Sequence, residues 1–238
     1  MPPVRTTKQN TAANDAAPVA KRPPKTMRLK AIPKAKISTG TRTITFGSEF
    51  ILTDRHVEDI LALGPGVCGG LWQFIFQFKD VSYDAKNKAS LTTDAVVRLA
   101  KACPKLRKIE LPGAGNVGED GLLALFEHCP ALTHLDLSKF GCPVGGHGIT
   151  GTSLDALREN PEWAPKLKKL LLAKDDNKEF MKAMRALGKE RPAMIITLMS
   201  RSEEKKWGDW QMVAIKQNYK KGRKHDANPS YGRYNRYW

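Results

Sequence analysis

The sequence predicts an α/β fold in which short parallel strands alternate with helices and stack as a solenoid, a curved parallel sheet with helices on its convex side. Two observations predict it. A six-residue apolar pattern recurs five times, and an amphipathic helical pattern lies between successive copies. A third observation, the distribution of charge, predicts disordered basic tails at both ends of this array.

The repeated pattern reads L-x-x-Φ-x-Φ, where Φ is a large apolar residue. Its copies begin at Leu71, Leu106, Leu132, Leu167 and Ala193, at spacings of 35, 26, 35 and 26 residues. One short strand and one helix cannot bury their apolar sides alone, whereas stacked copies bury the first, fourth and sixth positions in one shared core. Each copy therefore predicts one strand of the sheet.

A helical pattern precedes each later strand and opens with residues that suit a helix N-terminus. Such residues either cap free N–H groups or place a carboxylate near the positive end of the helix. The predicted helix starts are Thr53, Thr93, Glu119, Ser153 and Asn177. Gly188 is predicted to end the last helix.

Cysteine stands three residues before the first apolar position in three copies, at Cys68, Cys103 and Cys129, and Ala164 takes that place in the fourth. Free cysteine behaves as a small apolar side chain, so these residues are predicted to fill the core as free thiols. The pairs Cys129 with His128 and Cys142 with His147 lack the spacing of a tetrahedral zinc site. We therefore predict no metal and no cofactor.

The stretch NVGEDGLLALFEHCPALTHLDLS, Asn116 to Ser138, resembles the cysteine-containing leucine-rich repeats of ribonuclease-inhibitor-like proteins, as in the F-box/leucine-rich-repeat and mitotic-exit antagonist families. A turn, an acid, Leu-x-x-Leu and Cys-x-x-Leu-x-x-Leu-x-Leu follow in the family's order. The resemblance covers about residues 50–200 and implies a short leucine-rich-repeat solenoid that binds proteins.

Two features depart from that family. Ala114 and Phe140 stand where a second Cys or Asn follows each strand, and residues 79–90 and 140–152 are predicted insertions. No F-box is expected before the repeats, because a basic tail is predicted there. The resemblance therefore does not imply that this chain itself binds a ubiquitin-ligase scaffold.

The charge of +16 on 238 residues divides the chain into three parts: +9 on residues 1–45, +1 on 46–200 and +6 on 201–238. We predict a disordered N-terminal tail, a domain of about five repeats and a basic aromatic extension whose first part, 207–219, either caps the open end or belongs to a basic tail. Since no apolar run approaches ~20 residues and no secretory signal opens the chain, we expect a soluble monomer, cytoplasmic or nuclear, without membrane contact.

Alternate residues of parallel strands are predicted to face the open, concave side of the sheet. The predicted protein-binding residues are Gln73, Ile75, Lys108, Glu110, His134, Asp136, Lys169 and Leu171. Their mixed polar and apolar character favours a protein partner over phosphate, the other interpretation being a solvated face without a partner. No nucleophile or carboxylate pair indicates catalysis, so we predict a non-enzymatic scaffold. Substrate recognition in a ubiquitin-ligase pathway is one version that the resemblance implies.

The C-terminal sequence alternates basic and aromatic residues, which attract phosphate and stack on unpaired bases. The alternative function is therefore association with RNA through the tails. Its candidate residues are Lys220, Lys221, Arg223, Lys224, Tyr231, Arg233, Tyr234, Arg236, Tyr237 and Trp238.

Overall fold

The computed structural model describes residues 25–29, 37–47, 50–77, 88–138, 148–206 and 209–225 and shows an α/β fold. The elements, in chain order, are β1 (Lys25–Leu29), β2 (Thr41–Phe46), β3 (Ile51–Thr53), α1 (Asp54–Leu61), α2 (Pro65–Cys68), β4 (Gln73–Phe76), β5 (Lys88–Ser90), α3 (Thr93–Ala102), β6 (Lys108–Glu110), α4 (Glu119–His128), β7 (His134–Leu137), α5 (Thr152–Glu159), β8 (Lys169–Ala173), α6 (Lys178–Glu190), β9 (Ile195–Lys206), β10 (Asp209–Lys220) and β11 (Arg223–Lys224).

Within these ranges, nine strands form one mostly parallel sheet in the order β1-β2-β4-β6-β7-β8-β9-β10-β11. The strands from β1 to β9 are parallel to their neighbours, whereas β10 and β11 are antiparallel. β3 and β5 form a separate parallel pair. The α/β class predicted from the sequence is confirmed.

The strands lie in the register that the repeated pattern predicts. Corresponding residues pair laterally from strand to strand in the series Gln73, Lys108, His134, Lys169 and Ile195. The next residue of each strand is fully buried on the opposite side of the sheet, where the helices pack: Phe74, Ile109, Leu135, Leu170 and Ile196. One apolar core therefore runs across these five strands.

The predicted helix starts agree with the structure within about one residue, but Gly188 does not end α6, which continues to Glu190. That prediction is wrong because the glycine is needed inside the helix, where it contacts the backbone of Gly222 closely. A Cβ at Gly188 would lie 2.9 Å from the backbone nitrogen of Gly222, so the turn after β10 packs directly on the helix.

The three described cysteines, Cys68, Cys103 and Cys129, are free and buried, as predicted. The Cys129 Sγ lies 3.8 Å from the carbonyl oxygens of Cys103 and Ala100. Burial raises the pKa of the Cys129 thiol to about 12, so this side chain stays protonated at neutral pH. Cys142 lies outside the described residues.

The sheet begins before the predicted domain boundary, because β1 and all of β2 except Phe46 lie within the segment 1–45 that is predicted to be disordered. The β2 segment, TRTITF, is a further copy of the repeated pattern with threonine in the first position. Thr41, Ile44 and Phe46 are buried at its first, fourth and sixth positions. Residues 1–24 and 30–36 lie outside the described residues.

The fifth copy begins one residue later than predicted. Ala193 is exposed, whereas Met194 is fully buried. The Met194 N–H donates to the carbonyl of Arg191 (3.0 Å), as the N–H of Leu167 donates to Ala164 in the preceding copy. One residue separates Met194 from the next buried position, Ile196, whereas two residues separate Leu167 from Leu170 in the preceding copy.

The extension predicted at 201–238 starts as a long hairpin. β9 and β10 pair along twelve residues each, from Ile195 with Lys220 to Lys206 with Asp209. β8 pairs only with residues 195–199 of β9, so the outer half of the hairpin continues beyond the end of β8. Residues 207–208 and 226–238 lie outside the described residues.

Candidate interaction site

Eight side chains alternate with the buried core residues along β4, β6, β7 and β8, and we name this set the exposed sheet face. It has two lateral rows: Gln73, Lys108, His134 and Lys169 in the first, and Ile75, Glu110, Asp136 and Leu171 in the second. Lys169 is exposed, and the other seven are partly buried. With neighbouring strands about 4.8 Å apart, each row spans about 14 Å. The structure thus brings together all eight residues that the sequence singled out.

A charged network occupies the middle of this face. The Glu110 Oε1 lies 2.8 Å from the Lys108 Nζ and 3.4 Å from the His134 Nε2. Burial lowers the pKa of His134, and Lys108 and Lys169 lower it further, while Glu110 and Asp136 act in the opposite direction. The net direction is downward, so His134 is neutral at physiological pH.

Asp136 is held in place by the end of its own strand. Its Oδ1 accepts hydrogen bonds from the N–H (2.9 Å) and the hydroxyl (2.6 Å) of Ser138. Burial raises the pKa of Asp136, and the bonds from Ser138 offset this only in part. The Ser138 hydroxyl contacts Asp136, whereas the His134 ring contacts Glu110. Ser138, His134 and Asp136 therefore do not form a nucleophile–histidine–carboxylate relay.

An aromatic and cationic group stands where the two rows begin, and sequence reasoning missed it. The guanidinium carbon of Arg107 lies 4.3 Å from the centre of the Trp72 ring, and that of Arg42 lies 5.6 Å away. The Arg42 Nη1 also donates to the carbonyls of Thr39 (2.7 Å) and Gly70 (3.1 Å). The sequence feature that could have indicated this group is that Trp72 and Arg107 occupy the same place in their copies, immediately before a strand.

The second row of the exposed sheet face ends at β8. Ile195 and Thr197 continue the first and second rows in register on β9, but Ile195 is partly buried and Thr197 is buried. The Thr197 Oγ1 lies 2.8 Å from the Asn218 Oδ1 on the neighbouring strand β10.

The residues proposed for RNA contact divide between described and undescribed parts of the chain. Lys220, Lys221, Arg223 and Lys224 are exposed around the turn between β10 and β11. The remaining six, Tyr231, Arg233, Tyr234, Arg236, Tyr237 and Trp238, lie outside the described residues. RNA association stays a prediction.

In the described part of the chain, no group of three or more His, Cys, Asp or Glu side chains is arranged to hold a metal ion. The pair Cys142 and His147 lies outside that part. None of the helices described is long and apolar enough to cross a membrane.

No protein-family model matches the chain. The curated proteins also contain no significant match to it.

Proposed function

We propose that this protein is a non-enzymatic scaffold that binds a protein partner through the exposed sheet face. The observation that carries the proposal is the lateral alignment of eight side chains, one exposed and seven partly buried, in two rows across four strands. We also propose that the fold is a short leucine-rich-repeat solenoid of the cysteine-containing type. The recurring pattern and its buried cysteines support this assignment.

The chemistry of the face favours a protein ligand. The cations Lys108 and Lys169 stand in the first row and the carboxylates Glu110 and Asp136 in the second, so a polyanion would meet repulsion in the second row. Apolar side chains flank these charges at Ile75 and, on the far strand, Leu171. Glu110 is held by its ion pair with Lys108, and Asp136 by its hydrogen bonds from Ser138. Side chains that are already ordered in this way lose less conformational entropy when a partner binds.

Trp72 extends this surface at its beginning. Tryptophan and arginine are the residue types that most often dominate the energy of protein interfaces. The Trp72 ring with Arg107 against it provides both beside Lys108. We propose that this group contacts the same partner. Recognition of a substrate in a ubiquitin-ligase pathway is one version of the function, and it rests on the family resemblance alone.

Replacing Lys108, His134 and Lys169 together with alanine is expected to weaken partner binding at least about 10-fold, because the first row would lose its charged and polar contacts. The partner is first captured with a photoreactive amino acid at Gln73, after nuclease treatment has removed RNA-bridged proteins. Its affinity for wild type and variant is then measured with purified components.

The matched control replaces Lys101, His128 and Lys166, which have the same side-chain types but lie outside the exposed sheet face. Its affinity should equal that of wild type. Capture of the same proteins from a photoreactive residue at Lys101, or equal binding by both triple variants, would contradict the proposal.

A further inference from the structure

Helix α6 has a stripe of cations on its outer side that the exposed sheet face does not use. Lys178, Lys182, Arg185 and Lys189 recur at intervals of four, three and four residues, which places them on one side of a helix. All four are exposed. They extend over about 16 Å along the helix axis, at a rise of about 1.5 Å per residue.

The turn between β10 and β11 packs against this stripe. Gly222 has a φ of +71°, and a Cβ there would approach the carbonyl oxygen of Arg185 to 2.5 Å, so only glycine permits the contact. The contact places Arg223 and Lys224 beside Arg185 and Lys189, and the two elements enclose a depression of about 490 Å³.

A second depression, of about 630 Å³, adjoins the first along α6 and shares Arg185 and Lys189 with it. We name the two together the basic groove. Its six lining cations are Lys178, Lys182, Arg185, Lys189, Arg223 and Lys224, against two lining carboxylates, Asp176 and Glu190. The Asp176 Oδ1 lies 3.1 Å from the Lys174 Nζ, so one of these carboxylates already has a cation as its neighbour.

We propose that the basic groove binds the phosphate backbone of single-stranded RNA. Cations repeated once per helical turn fit a ligand whose negative charges also repeat, and phosphate contacts supply most of the affinity of such complexes. The sequence that continues from the groove, 226–238, contains three tyrosines and a tryptophan. Aromatic rings of this kind stack on unpaired bases and so favour a single strand over a duplex.

The packing of α6 argues against a membrane as the ligand. Of its apolar side chains, Phe180, Met184 and Leu187 are fully buried in the core and Ala183 is almost so, which leaves Met181 and Ala186 partly exposed. A helix that lies in a membrane surface needs such residues to insert among the lipids. The groove also lies on the helix side of the sheet, away from the exposed sheet face, so this site and the proposed protein interface can fail independently.

The test measures binding of a labelled single strand of about 20 uridines to the full chain by fluorescence anisotropy. Engaging all six lining cations is expected to give a slope of log affinity against log salt of about −4.2, which is about a 300-fold loss between about 50 and about 200 mM salt. The variant K182Q/R185Q/K189Q keeps Lys178, Arg223 and Lys224, so it should reduce the slope to about −2.1 and weaken binding at least about 10-fold at the lower salt. Glutamine keeps the helix propensity of these positions, so α6 should remain folded.

A control variant, K101Q/K105Q/K166Q, removes the same charge from exposed positions outside the groove and should bind RNA as wild type does. Equal losses in both variants would overturn the proposal, because they would indicate a general effect of net charge. So would deletion of 226–238 abolishing binding while the groove variant binds normally. Binding of polyglutamate as tight as that of RNA, with the same sensitivity to the groove variant, would assign the groove to an acidic protein and equally overturn it.

Discussion

Replacing Glu119 with alanine is expected to lower the free energy of unfolding by about 3 kcal/mol, because this carboxylate caps a helix other than its own. Glu119 lies in the first turn of α4, whereas the N–H groups that it binds open α5. The bonds to its Oε1 come from the N–H groups of Thr150 (2.5 Å), Gly151 (2.8 Å) and Thr152 (3.2 Å), and its Oε2 accepts from the N–H of Ser153 (2.8 Å).

No side chain of α5 itself caps that helix, since its N-cap residue is Gly151. Loss of Glu119 would leave the N–H groups of Gly151 and Ser153, both buried residues, without their acceptor. For a domain of this size a loss of about 3 kcal/mol lowers the melting temperature by about 6–12 °C, which calorimetry resolves.

This contribution is expected to depend on pH. Burial alone would raise the pKa of Glu119, but hydrogen bonds from Ser153, Gly151 and Thr150 lower it below its ordinary value of 4.5. A carboxyl group whose pKa is lower in the folded state stabilises the fold above its unfolded pKa and loses this effect as pH falls through the folded value. The difference in stability between wild type and E119Q should therefore be constant above pH ~5.5 and shrink below pH ~4.5.

Glu127 is the matched control, since it is an exposed glutamate of the same helix α4. Its replacement by alanine should change the free energy of unfolding by less than about 0.5 kcal/mol. A loss at Glu119 no larger than that at Glu127 would show that the cap is not formed in solution.

Replacing Arg191 with methionine is expected to lower the free energy of unfolding by about 3 kcal/mol. The guanidinium lies at the end of α6 and binds four carbonyls at the end of α5 and in the loop that follows. The acceptors are Trp163 (3.0 Å) and Ala164 (3.1 Å) for its Nη1, and Leu157 (2.8 Å) and Asn160 (3.0 Å) for its Nη2. Two of these carbonyls also accept a local backbone bond, that of Asn160 from the Trp163 N–H (3.1 Å) and that of Ala164 from the Leu167 N–H (3.0 Å). Arg191 therefore joins a turn that is already ordered to the next unit of the sheet.

Lysine at position 191 should recover little of the loss, because one ammonium group cannot reach four carbonyls in a fork geometry. The control is Arg158→Met, which removes surface ion pairs with Asp155 and Glu159 and should cost less than about 1 kcal/mol. Chemical denaturation measures all three variants. Equal costs for Arg158→Met and Arg191→Met would contradict the role assigned to Arg191.

The lateral register was predictable from the sequence because large apolar residues at the first, fourth and sixth positions mark each strand independently of loop length. Spacings of 35 and 26 residues therefore did not hide the alignment of Leu106, Leu132 and Leu167. The same pattern does not mark β2, because a buried threonine, Thr41, replaces the first leucine. The Thr41 hydroxyl accepts a hydrogen bond from the N–H of Ser38 (3.1 Å), which allows a polar residue in the core.

Contacts between units were not predictable, since they join residues far apart in the sequence. Glu119 was interpreted as an acid that favours the start of its own helix, whereas its carboxylate contacts residues 31 to 34 positions later. Arg191 occupies the place that Cys68, Cys103 and Cys129 hold in earlier units, and no apolar pattern marks it. The same limit applies to Trp72 and Arg107, which are adjacent only because their strands pair.

The measurement that most directly tests the lateral order of the sheet is the distance between spin labels at Gln73 and Lys220, in a variant that also carries Cys142→Ser. The raised pKa of the three buried thiols keeps them unreactive at neutral pH, so labelling is confined to the two introduced cysteines. Gln73 and Lys220 stand in the same lateral series, five strand steps apart. A single narrow distribution centred at about 20–25 Å is expected from strands about 4.8 Å apart. A distance above about 35 Å, or a broad featureless distribution, would contradict the lateral order of the sheet on which the exposed sheet face depends.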